Sequence, residues 1–420
     1  MFGGQVDSGA APSPDWRDMT HSVGTLLDEL DIPRAISAPP QLDDRWALHL
    51  GGLGGQSTDI RLDEDYDRFY RAQGGSGGSG NPEELRLVGT FKYSTLEEVA
   101  GKVAETAKDQ LGCRFLQKKF DEGGGAAVEV VFGEILESLV ELMVDPFGNY
   151  LVQKLLDRCS EEQRLAVLKR VAGGGELVEV ALNTHGTRAV QRLIETLTAR
   201  EQLVIQALRP GVVALIRDLN GNHVIQRCLQ RMTNEDLGFV YAAAADHCLD
   251  IATHRHGCCV LQRCIDRADA AQKRHLAHCI AAHALILSQD PFGNYVVQYV
   301  LEQGNGEMLA PILAQLKGHY AELAVQKFSS NVVERCLKLG GGETSSLLEE
   351  RDAVVEELMT SPSFGRLLQD PYANYVMQSA LSVTSGARHA ALVEAIRPFL
   401  PALRGTPHGK RILAKIAIKV

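Results

Sequence analysis

A polar or compact residue and a glutamine recur together at eight places in this chain, four positions apart. The second member of the pair is glutamine in seven copies and Glu334 in the other. Residues four apart lie on one face of a helix, so each pair can form a two-point hydrogen-bonding site. Indifferent surface positions would vary freely among copies, and the recurrence therefore indicates a binding role. The pairs are Cys113/Gln117, Asn149/Gln153, Thr187/Gln191, Asn222/Gln226, Cys258/Gln262, Asn294/Gln298, Ser330/Glu334 and Asn374/Gln378.

The residue directly after the first pair residue has a flat side chain in six of the eight copies. Aromatic, imidazole and guanidinium groups can stack on the faces of planar ligands. Cys259 and Asn331 depart from this pattern, and Cys259 predicts a weaker hold on whatever is bound there. The eight stacking positions are Arg114, Tyr150, Arg188, His223, Cys259, Tyr295, Asn331 and Tyr375.

These sites belong to an internal repeat of about 36 residues, a period typical of repeat architectures. Each pair follows a small residue, and these small residues, from Gly112 to Ala373, are spaced by 36, 38, 35, 36, 36, 36 and 44 positions. The long interval contains an insertion around Gly340–Gly342. A ninth, imperfect copy at Pro407–Ala414 predicts a terminal cap.

The second copy shows which elements must position a pair. Val131–Met143 is apolar at helical spacing, Asp145–Gly148 interrupts it, and further helices are expected at Asn149–Arg158 and from about Glu161 to Val171. The glycine before the pair suits a tight turn into the helix because of its backbone freedom. Without any β-type alternation, the pattern predicts an all-α solenoid in which each repeat buries its apolar face on its neighbours.

The first 93 residues have a different composition. Residues 1–90 hold 7 Lys and Arg against 15 Asp and Glu, whereas residues 91–420 hold 36 against 38. The run Gly74–Gly80 and weak helical periodicity indicate a disordered, acidic, Gly-rich arm over residues 1–93. Ser94–Glu97 has the spacing of a capping box, so we expect the folded domain to span residues 94–420. The nearly neutral body disfavours an indiscriminate polyanion binder.

Several classes of protein are excluded. The composition, 45% hydrophobic and 23% charged, is globular, and no membrane span or secretory signal is apparent. Nine scattered cysteines favour reduced thiols. Neither the group around Cys258 and Cys264 nor His275, His278 and His283 has metal-ligand spacing, and no phosphate-binding or nucleophile motif occurs. We predict no metal, no cofactor and no enzymatic activity.

The motif Gly-Asn-Tyr-Leu-Val-Gln at residues 148–153 and its seven relatives resemble the repeats of the Pumilio, or PUF, family of RNA-binding proteins, over about residues 95–420. The resemblance implies a right-handed α-solenoid arc of eight three-helix repeats with capping pseudo-repeats, whose middle helices line the concave surface. In that family each repeat binds one RNA base through two edge-binding side chains and one stacking side chain. The pair and stacking residues are thus the predicted RNA contacts, facing the groove rather than the core.

The chemistry of each pair predicts a base. A carboxylate only accepts hydrogen bonds and guanine alone presents two adjacent donors, so Ser330/Glu334 predicts guanine. The four Asn/Gln pairs suit the mixed donor and acceptor edge of uracil, and a compact residue, as at Cys113, Thr187 and Cys258, leaves room for adenine. The family binds RNA antiparallel to the protein, which gives 5′-UGUAUAUA-3′ and matches the UGUA-headed element that the family favours.

A basic residue follows the second pair residue in six repeats. It could approach RNA phosphates, or it could simply be solvated charge on the helix flank. These residues are Lys118, Lys154, Arg192, Arg227, Arg263 and Arg335.

The resemblance implies a monomeric protein that binds single-stranded RNA in mRNA 3′ untranslated regions and regulates translation and mRNA stability. Its implied partners are deadenylation or translational repression factors, and its implied location is the cytoplasm, with a nuclear or nucleolar fraction possible. Two alternatives remain open. One is a scaffold of the armadillo or HEAT kind that grips an extended peptide, and the other is a related factor for RNA processing or ribosome assembly.

Overall fold

The computed structural model describes residues 92–197, 201–303, 306–339 and 345–418. These residues are mostly α-helical, with short 3₁₀ turns and no strand among them. The helices recur with the sequence repeat, which confirms an α-solenoid of eight three-helix repeats followed by a terminal cap. Of the predicted arm, only Lys92 and Tyr93 lie among the described residues, so its disorder stays a prediction. None of the described helices is long and apolar enough to cross a membrane.

Each repeat has a short first helix, a middle helix that carries the pair, and a third helix. The first helices are Val103–Ala107, Leu139–Val144, Leu177–Leu182, Val212–Arg217, Cys248–Ala252, Ala284–Gln289, Tyr320–Ala324 and Phe364–Leu367. In repeat 1 the middle and third helices form one stretch, Gln110–Ile135, which is kinked at Gly124.

The remaining helices keep this order to the end of the chain. The other middle helices are Gly148–Arg158, Gly186–Thr196, Gly221–Arg231, Gly257–Arg267, Gly293–Gln303, Ser329–Leu337 and Ala373–Val383. The other third helices are Glu161–Gly173, Glu201–Leu208, Gly238–Asp246, Ala270–Ala282, Gly306–Leu316, Ser345–Thr360 and Gly386–Ile396. The cap consists of Leu400–Arg404 and Pro407–Ile418.

Neighbouring repeats pack through equivalent helices. Each middle helix contacts the middle helix of the next repeat, and the last of them contacts the cap helix Pro407–Ile418. The apolar side chains between them, such as Val152, Leu155 and Leu156, are fully buried in one continuous core. Each repeat therefore holds its neighbours in place, and the middle helices present the eight pairs in a regular row.

The glycine before six of the eight pairs is explained by close packing rather than by backbone freedom. None of these glycines has a positive φ. A Cβ atom on Gly186 would instead lie 2.3 Å from the carbonyl oxygen of Val180 in the first helix. In repeat 7 the equivalent Ser329 donates its hydroxyl to the Leu323 carbonyl at 2.7 Å. A Cβ atom would meet the same backbone contact at Gly112, Gly148, Gly221, Gly257 and Gly293.

The expected capping box at Ser94–Glu97 is wrong. These residues lead into a short 3₁₀ turn, Glu97–Val99, and the first α-helix begins only at Val103. The Ser94 N–H group donates to the Glu98 carboxylate at 3.2 Å, and this bond satisfies the N–H group without a capping box. Capping boxes do occur further on, where they open the third helices of repeats 2 and 5.

The apolar stretch Val131–Met143 is two helices rather than one. The long helix of repeat 1 ends at Ile135, and the first helix of repeat 2 begins at Leu139. The turn between them is where the chain passes from one repeat to the next, so apolar residues on both sides enter the same core. The two later helices of this repeat, Gly148–Arg158 and Glu161–Gly173, lie where the sequence predicts them.

Candidate nucleic-acid interface

A side-chain oxygen fixes the loop before most middle helices. In repeat 2, Asp145 Oδ1 accepts the N–H groups of Phe147 and Gly148 at 2.8 and 2.7 Å. Such caps satisfy N–H groups that have no partner inside the helix. These caps were not predicted from the sequence, although an Asp or Asn stands four positions before the first pair residue in six repeats. The equivalent residues that accept two N–H groups are Asn183, Asp218, Asp290 and Asp370.

In repeats 2, 4, 6 and 8 the first pair residue is an asparagine whose NH₂ group is fully used. Asn149 Nδ2 donates to the carbonyl oxygens of Asp145 and Pro146 at 2.8 and 3.0 Å. The opposite amide orientation would place oxygen against two carbonyl oxygens, so the contacts fix which atom points outward. Equivalent contacts of 2.8 to 3.0 Å are made by Asn222, Asn294 and Asn374.

The oxygen of each asparagine in turn orients the glutamine one helical turn later. Gln153 Nε2 donates to Asn149 Oδ1 at 3.0 Å. The glutamine oxygen is left to accept from a ligand, and the second lone pair of the asparagine oxygen lies beside it. The corresponding distances are 2.7, 2.9 and 3.0 Å for Gln226, Gln298 and Gln378.

In repeats 1 and 3 the compact first pair residue contacts the next repeat instead of its own loop. Cys113 Sγ donates to the Phe147 carbonyl at 3.2 Å, and Thr187 Oγ1 donates to the Asn220 carbonyl at 3.0 Å. These sites therefore lack the amide oxygen that the asparagine repeats present, and their side chains are shorter.

The glutamines of repeats 1 and 3 are bound to their compact partners. Gln117 Nε2 donates to Cys113 Sγ at 3.2 Å, and Gln191 Nε2 donates to Thr187 Oγ1 at 3.1 Å. Both glutamines are half-buried, and each has one amide hydrogen already used. Because the amide nitrogen carries two hydrogens, each glutamine keeps one donor and its oxygen for a ligand.

Repeat 5 has two adjacent cysteines in place of a polar and a flat residue. Cys258 Sγ lies 4.0 Å from Cys259 Sγ and 3.4 Å from the Arg255 carbonyl oxygen. The contact with Cys258 lowers the pKa of the Cys259 thiol, and the nearby Arg263 cation also lowers it. No group of three or more potential metal ligands is found among the described residues.

The single carboxylate among the pairs lies in repeat 7. Glu334 Oε1 accepts from Lys338 Nζ at 2.5 Å, one helical turn further on. Ser330 and Asn331 both donate to the Lys327 carbonyl at 3.4 Å rather than to Glu334. Because each carboxylate oxygen can accept two hydrogen bonds, Lys338 leaves Glu334 with accepting capacity on both oxygens.

The first pair residues are almost completely buried. Their exposed fraction runs from 0% at Cys113 and Asn374 to 7% at Ser330. The second pair residues are somewhat more accessible, and most of them are half-buried. A ligand can therefore touch the second pair residue and the stacking side chain directly, but only the outermost atom of the first pair residue.

The stacking positions form the accessible part of the row. Arg114, Arg188 and Tyr375 are exposed, and the other five are half-buried. Burial lowers the pKa of His223, and the neighbouring Arg188 cation lowers it further. Near neutral pH this imidazole is therefore mostly a neutral, flat ring.

The ninth copy continues the stacking row. Arg411, at its stacking position, donates Nη1 to the Tyr375 hydroxyl at 2.8 Å, and its guanidinium carbon lies 5.8 Å from the ring centre. Ala414 stands where a second pair residue would be. The cap thus supplies a flat face but no hydrogen-bonding pair.

The basic residues after the pairs are mostly bound to acids of the preceding repeat, and these ion pairs form a ladder that was not predicted from the sequence. Lys154 Nζ lies 2.6 Å from Asp121 Oδ2, and Arg227 Nη1 lies 2.9 Å from Glu195 Oε1. Arg192 pairs with Asp157 and Arg335 with Glu302, while Lys118 pairs with Glu122 of its own repeat. Each inter-repeat acid stands eight positions after the first pair residue of its repeat, and this spacing is the signal that could have revealed the ladder.

Comparisons with known proteins identify the repeat. A family model described as a Pumilio-family RNA binding repeat matches eight segments, and each of them contains one of the eight pairs. The segments are residues 102–136, 138–172, 176–206, 211–242, 247–281, 283–317, 319–350 and 364–397.

Two relatives from Arabidopsis thaliana are similar over most of this chain. Putative pumilio homolog 8, chloroplastic, is 51% identical over 346 residues, which cover 82% of this chain and 64% of that protein. Putative pumilio homolog 7, chloroplastic, is 52% identical over 344 residues, which cover 81% of this chain and 51% of that protein. The chain therefore spans between half and two thirds of the length of these relatives.

Solved structures of RNA-bound domains share the fold. The Puf4 RNA binding domain bound to the HO endonuclease RNA 3′ UTR recognition sequence is 42% identical with a TM-score of 0.66, covering 75% of this chain and 98% of that one. The RNA-binding domain of yeast Puf5p bound to MFA2 RNA is 28% identical with a TM-score of 0.70, covering 76% and 96%. With eight repeats matched in sequence and the same solenoid in structure, this chain belongs to the Pumilio family of RNA-binding repeat proteins, which are not enzymes.

Proposed function

We propose that this chain binds single-stranded RNA of the sequence 5′-UGUAUAUA-3′ through its eight pairs, with repeat 8 at the first base and repeat 1 at the last. The observation that carries the proposal is the identical hydrogen-bonding arrangement of the four Asn/Gln pairs, beside the lone carboxylate of Glu334. The segment from about Ser94 to Val420 holds all of these residues, and we propose that it suffices for binding.

Uracil fits the asparagine repeats because of what the asparagine leaves exposed. Its NH₂ group is bound to the loop, so its oxygen and the glutamine oxygen are two acceptors for the single N3–H donor of uracil. An Nε2 hydrogen of the glutamine can donate to a uracil carbonyl oxygen. Adenine would turn its N1 acceptor toward the same oxygens, and this repulsion favours uracil.

Adenine fits the repeats with a compact first residue. The remaining Nε2 hydrogen of Gln117 or Gln191 can be donated to N1 of adenine, and the side-chain oxygen of the same glutamine can accept from the N6 amino group. The Sγ of Cys113 and the Oγ1 of Thr187 point to the next repeat as donors and offer little competing acceptor strength. The shorter side chain also leaves space for the larger purine.

Guanine fits repeat 7 because its N1–H and N2 amino groups are adjacent donors. Both oxygens of Glu334 can accept, and a hydrogen bond to a charged group is stronger than one between neutral groups. Lys338, bound to Oε1, holds the carboxylate in place.

We further propose that the chain acts on mRNA 3′ untranslated regions and regulates translation and mRNA stability as a monomer, with deadenylation or repression factors as partners. The solved structures of Puf4 and Puf3 with 3′ UTR recognition sequences support the target class. We propose a cytoplasmic location, although the names of two relatives carry the word chloroplastic. Imaging of the tagged full-length protein against cytoplasmic, nucleolar and chloroplast markers decides between these locations.

The test is a competition titration of the purified chain with eight RNAs, each changed at one base of UGUAUAUA. We expect each change to weaken binding by about 1–3 kcal/mol, with the G at the second position the most selective. Equal affinity for all eight RNAs and the parent sequence would exclude base-specific recognition by the pairs.

A further inference from the structure

Arg263 differs from the other basic residues that follow the pairs. The five others make ion pairs with carboxylates, whereas Arg263 makes none with any described residue. Its expected partner position, eight residues after Asn222 in the preceding repeat, is occupied by the uncharged Gln230. Arg263 is half-buried, and no ion pair with a described residue ties its guanidinium to the preceding repeat as Lys154, Arg192, Arg227 and Arg335 are tied.

The position of Arg263 brings its guanidinium close to the missing stacking side chain. It stands four residues after Cys259, so both lie on the same face of the helix Gly257–Arg267. Long side chains on a helix point back towards its N-terminus, which directs Arg263 over Cys259. Its charge acts on both neighbouring stacking positions. The contact with Cys258 lowers the pKa of Cys259 most, and Arg263 lowers it further; burial, Arg188 and His256 lower the pKa of His223 more than Arg263 does.

We propose that Arg263 supplies the stacking face of repeat 5, in place of the flat side chain that Cys259 lacks. The guanidinium is a planar cation that can lie on a base and attract the adjacent phosphates. The small Cys259 thiol leaves the space for it. This inference rests on the proposed function and concerns the fourth base of UGUAUAUA, the adenine assigned to Cys258 and Gln262.

The same position is used differently in the other repeats, which supports the assignment. Tyr299 of repeat 6 stands where Arg263 stands, and its hydroxyl donates to Asp266 of repeat 5. Arg227 of repeat 4 is held by Glu195. In both repeats a ring at the stacking position, Tyr295 or His223, already offers a flat face. Among the described repeats, only repeat 5 combines a stacking position without a flat side chain and a basic residue without an ion pair, since in repeat 7, where Asn331 also lacks a flat face, Arg335 pairs with Glu302.

The test compares Arg263→Ala with the matched control Arg227→Ala in binding to UGUAUAUA. Both remove one cation at the same register, but Arg227 is held by Glu195 and stands beside an intact stacking residue. We expect Arg263→Ala to weaken binding by about ten-fold and the control by less than about two-fold. Arg263→Lys separates stacking from charge, because lysine keeps the positive charge but has no planar group. It should therefore weaken binding nearly as much as Arg263→Ala does.

Two further measurements locate the effect. With an abasic nucleotide at the fourth position, Arg263→Ala should cost less than about two-fold, because there is no base left to stack. Cys259→Arg should restore the affinity lost by Arg263→Ala, and it should add little to the wild type.

The outcomes separate this inference from the proposed function. If the wild type does not distinguish UGUAUAUA from single-base variants, the proposed function fails. If the wild type is selective but Arg263→Ala equals its control, or Arg263→Lys binds as the wild type does, Arg263 does not stack and the inference fails alone. Thermal unfolding of each variant verifies its fold, and since Arg263 has no ion pair with a described residue, its replacement should leave the melting temperature unchanged.

Discussion

At the scale of the residue, the asparagine of repeats 2, 4, 6 and 8 has two tasks that the sequence shows only in part. The recurrence of Asn149 and its equivalents with a glutamine four positions later is enough to predict a base-binding pair. The sequence does not show that the NH₂ group is spent on the loop, because those bonds go to backbone carbonyls. Selectivity for uracil therefore depends on one oxygen whose orientation is set by the fold.

Replacing Asn294 by Ser tests this double role. Serine cannot reach both loop carbonyls and removes the amide oxygen, so we expect the free energy of unfolding to fall by about 0.5–2 kcal/mol. We also expect preference at the third base to move from U towards A. Denaturant unfolding and competition binding measure the two effects.

Thr187→Ser is the matched control for Asn294→Ser, since it keeps a compact hydroxyl residue at the adenine-type repeat 3. It should retain adenine preference at the sixth base. An Asn294→Ser variant that still prefers U at the third base would show that the asparagine oxygen does not select uracil.

At the scale of the element, the middle helices were predictable and the contacts that set their register were not. Apolar spacing and the break at Asp145–Gly148 locate the helix Gly148–Arg158 within one residue. At the glycine, the middle helix crosses close to the first helix of its own repeat. The ladder of ion pairs joins residues of different repeats. Periodicity within one helix carries no information about such contacts, which is why the glycine was assigned to backbone freedom.

Gly186→Ala tests the crossing. The new Cβ would lie 2.3 Å from the Val180 carbonyl oxygen, so the two helices must separate, and we expect a loss of about 1–3 kcal/mol in the free energy of unfolding. Gly238→Ala is the control, because no atom lies within 4 Å of its added Cβ. It should be neutral or slightly stabilising. Equal stability of the two variants would contradict the packing explanation.

At the scale of the whole molecule, the row of eight sites is continued by a cap and preceded by the acidic segment of residues 1–90. All the pair and stacking residues lie beyond that segment, whose charge repels RNA. Repeat number and order follow from the sequence alone, because each copy of the motif is visible in it.

A fragment from Ser94 to Val420 should therefore bind UGUAUAUA within about two-fold of the full chain, and slightly more tightly at low salt, where charge repulsion is least screened. The measurement is a titration of both proteins at two salt concentrations. Loss of affinity on removal of residues 1–93 would show that this segment contributes contacts of its own.

The most direct test of the whole account changes the base that one repeat selects. Replacing Ser330 by Asn and Glu334 by Gln gives repeat 7 the pair found in repeat 6, and it removes the acceptors proposed for guanine. The asparagine introduced at position 330 can reach the Gln326 and Lys327 carbonyls that already accept from Ser330, so the fold should tolerate it.

Competition binding of the wild type and this double variant, with RNAs that differ only at the second base, is the measurement. We predict that preference there moves from G to U by about ten-fold or more, with the other seven positions unchanged. A variant that still prefers G at the second base, or one whose preference changes at another base, would contradict the assignment of Ser330 and Glu334 and the direction in which the RNA lies.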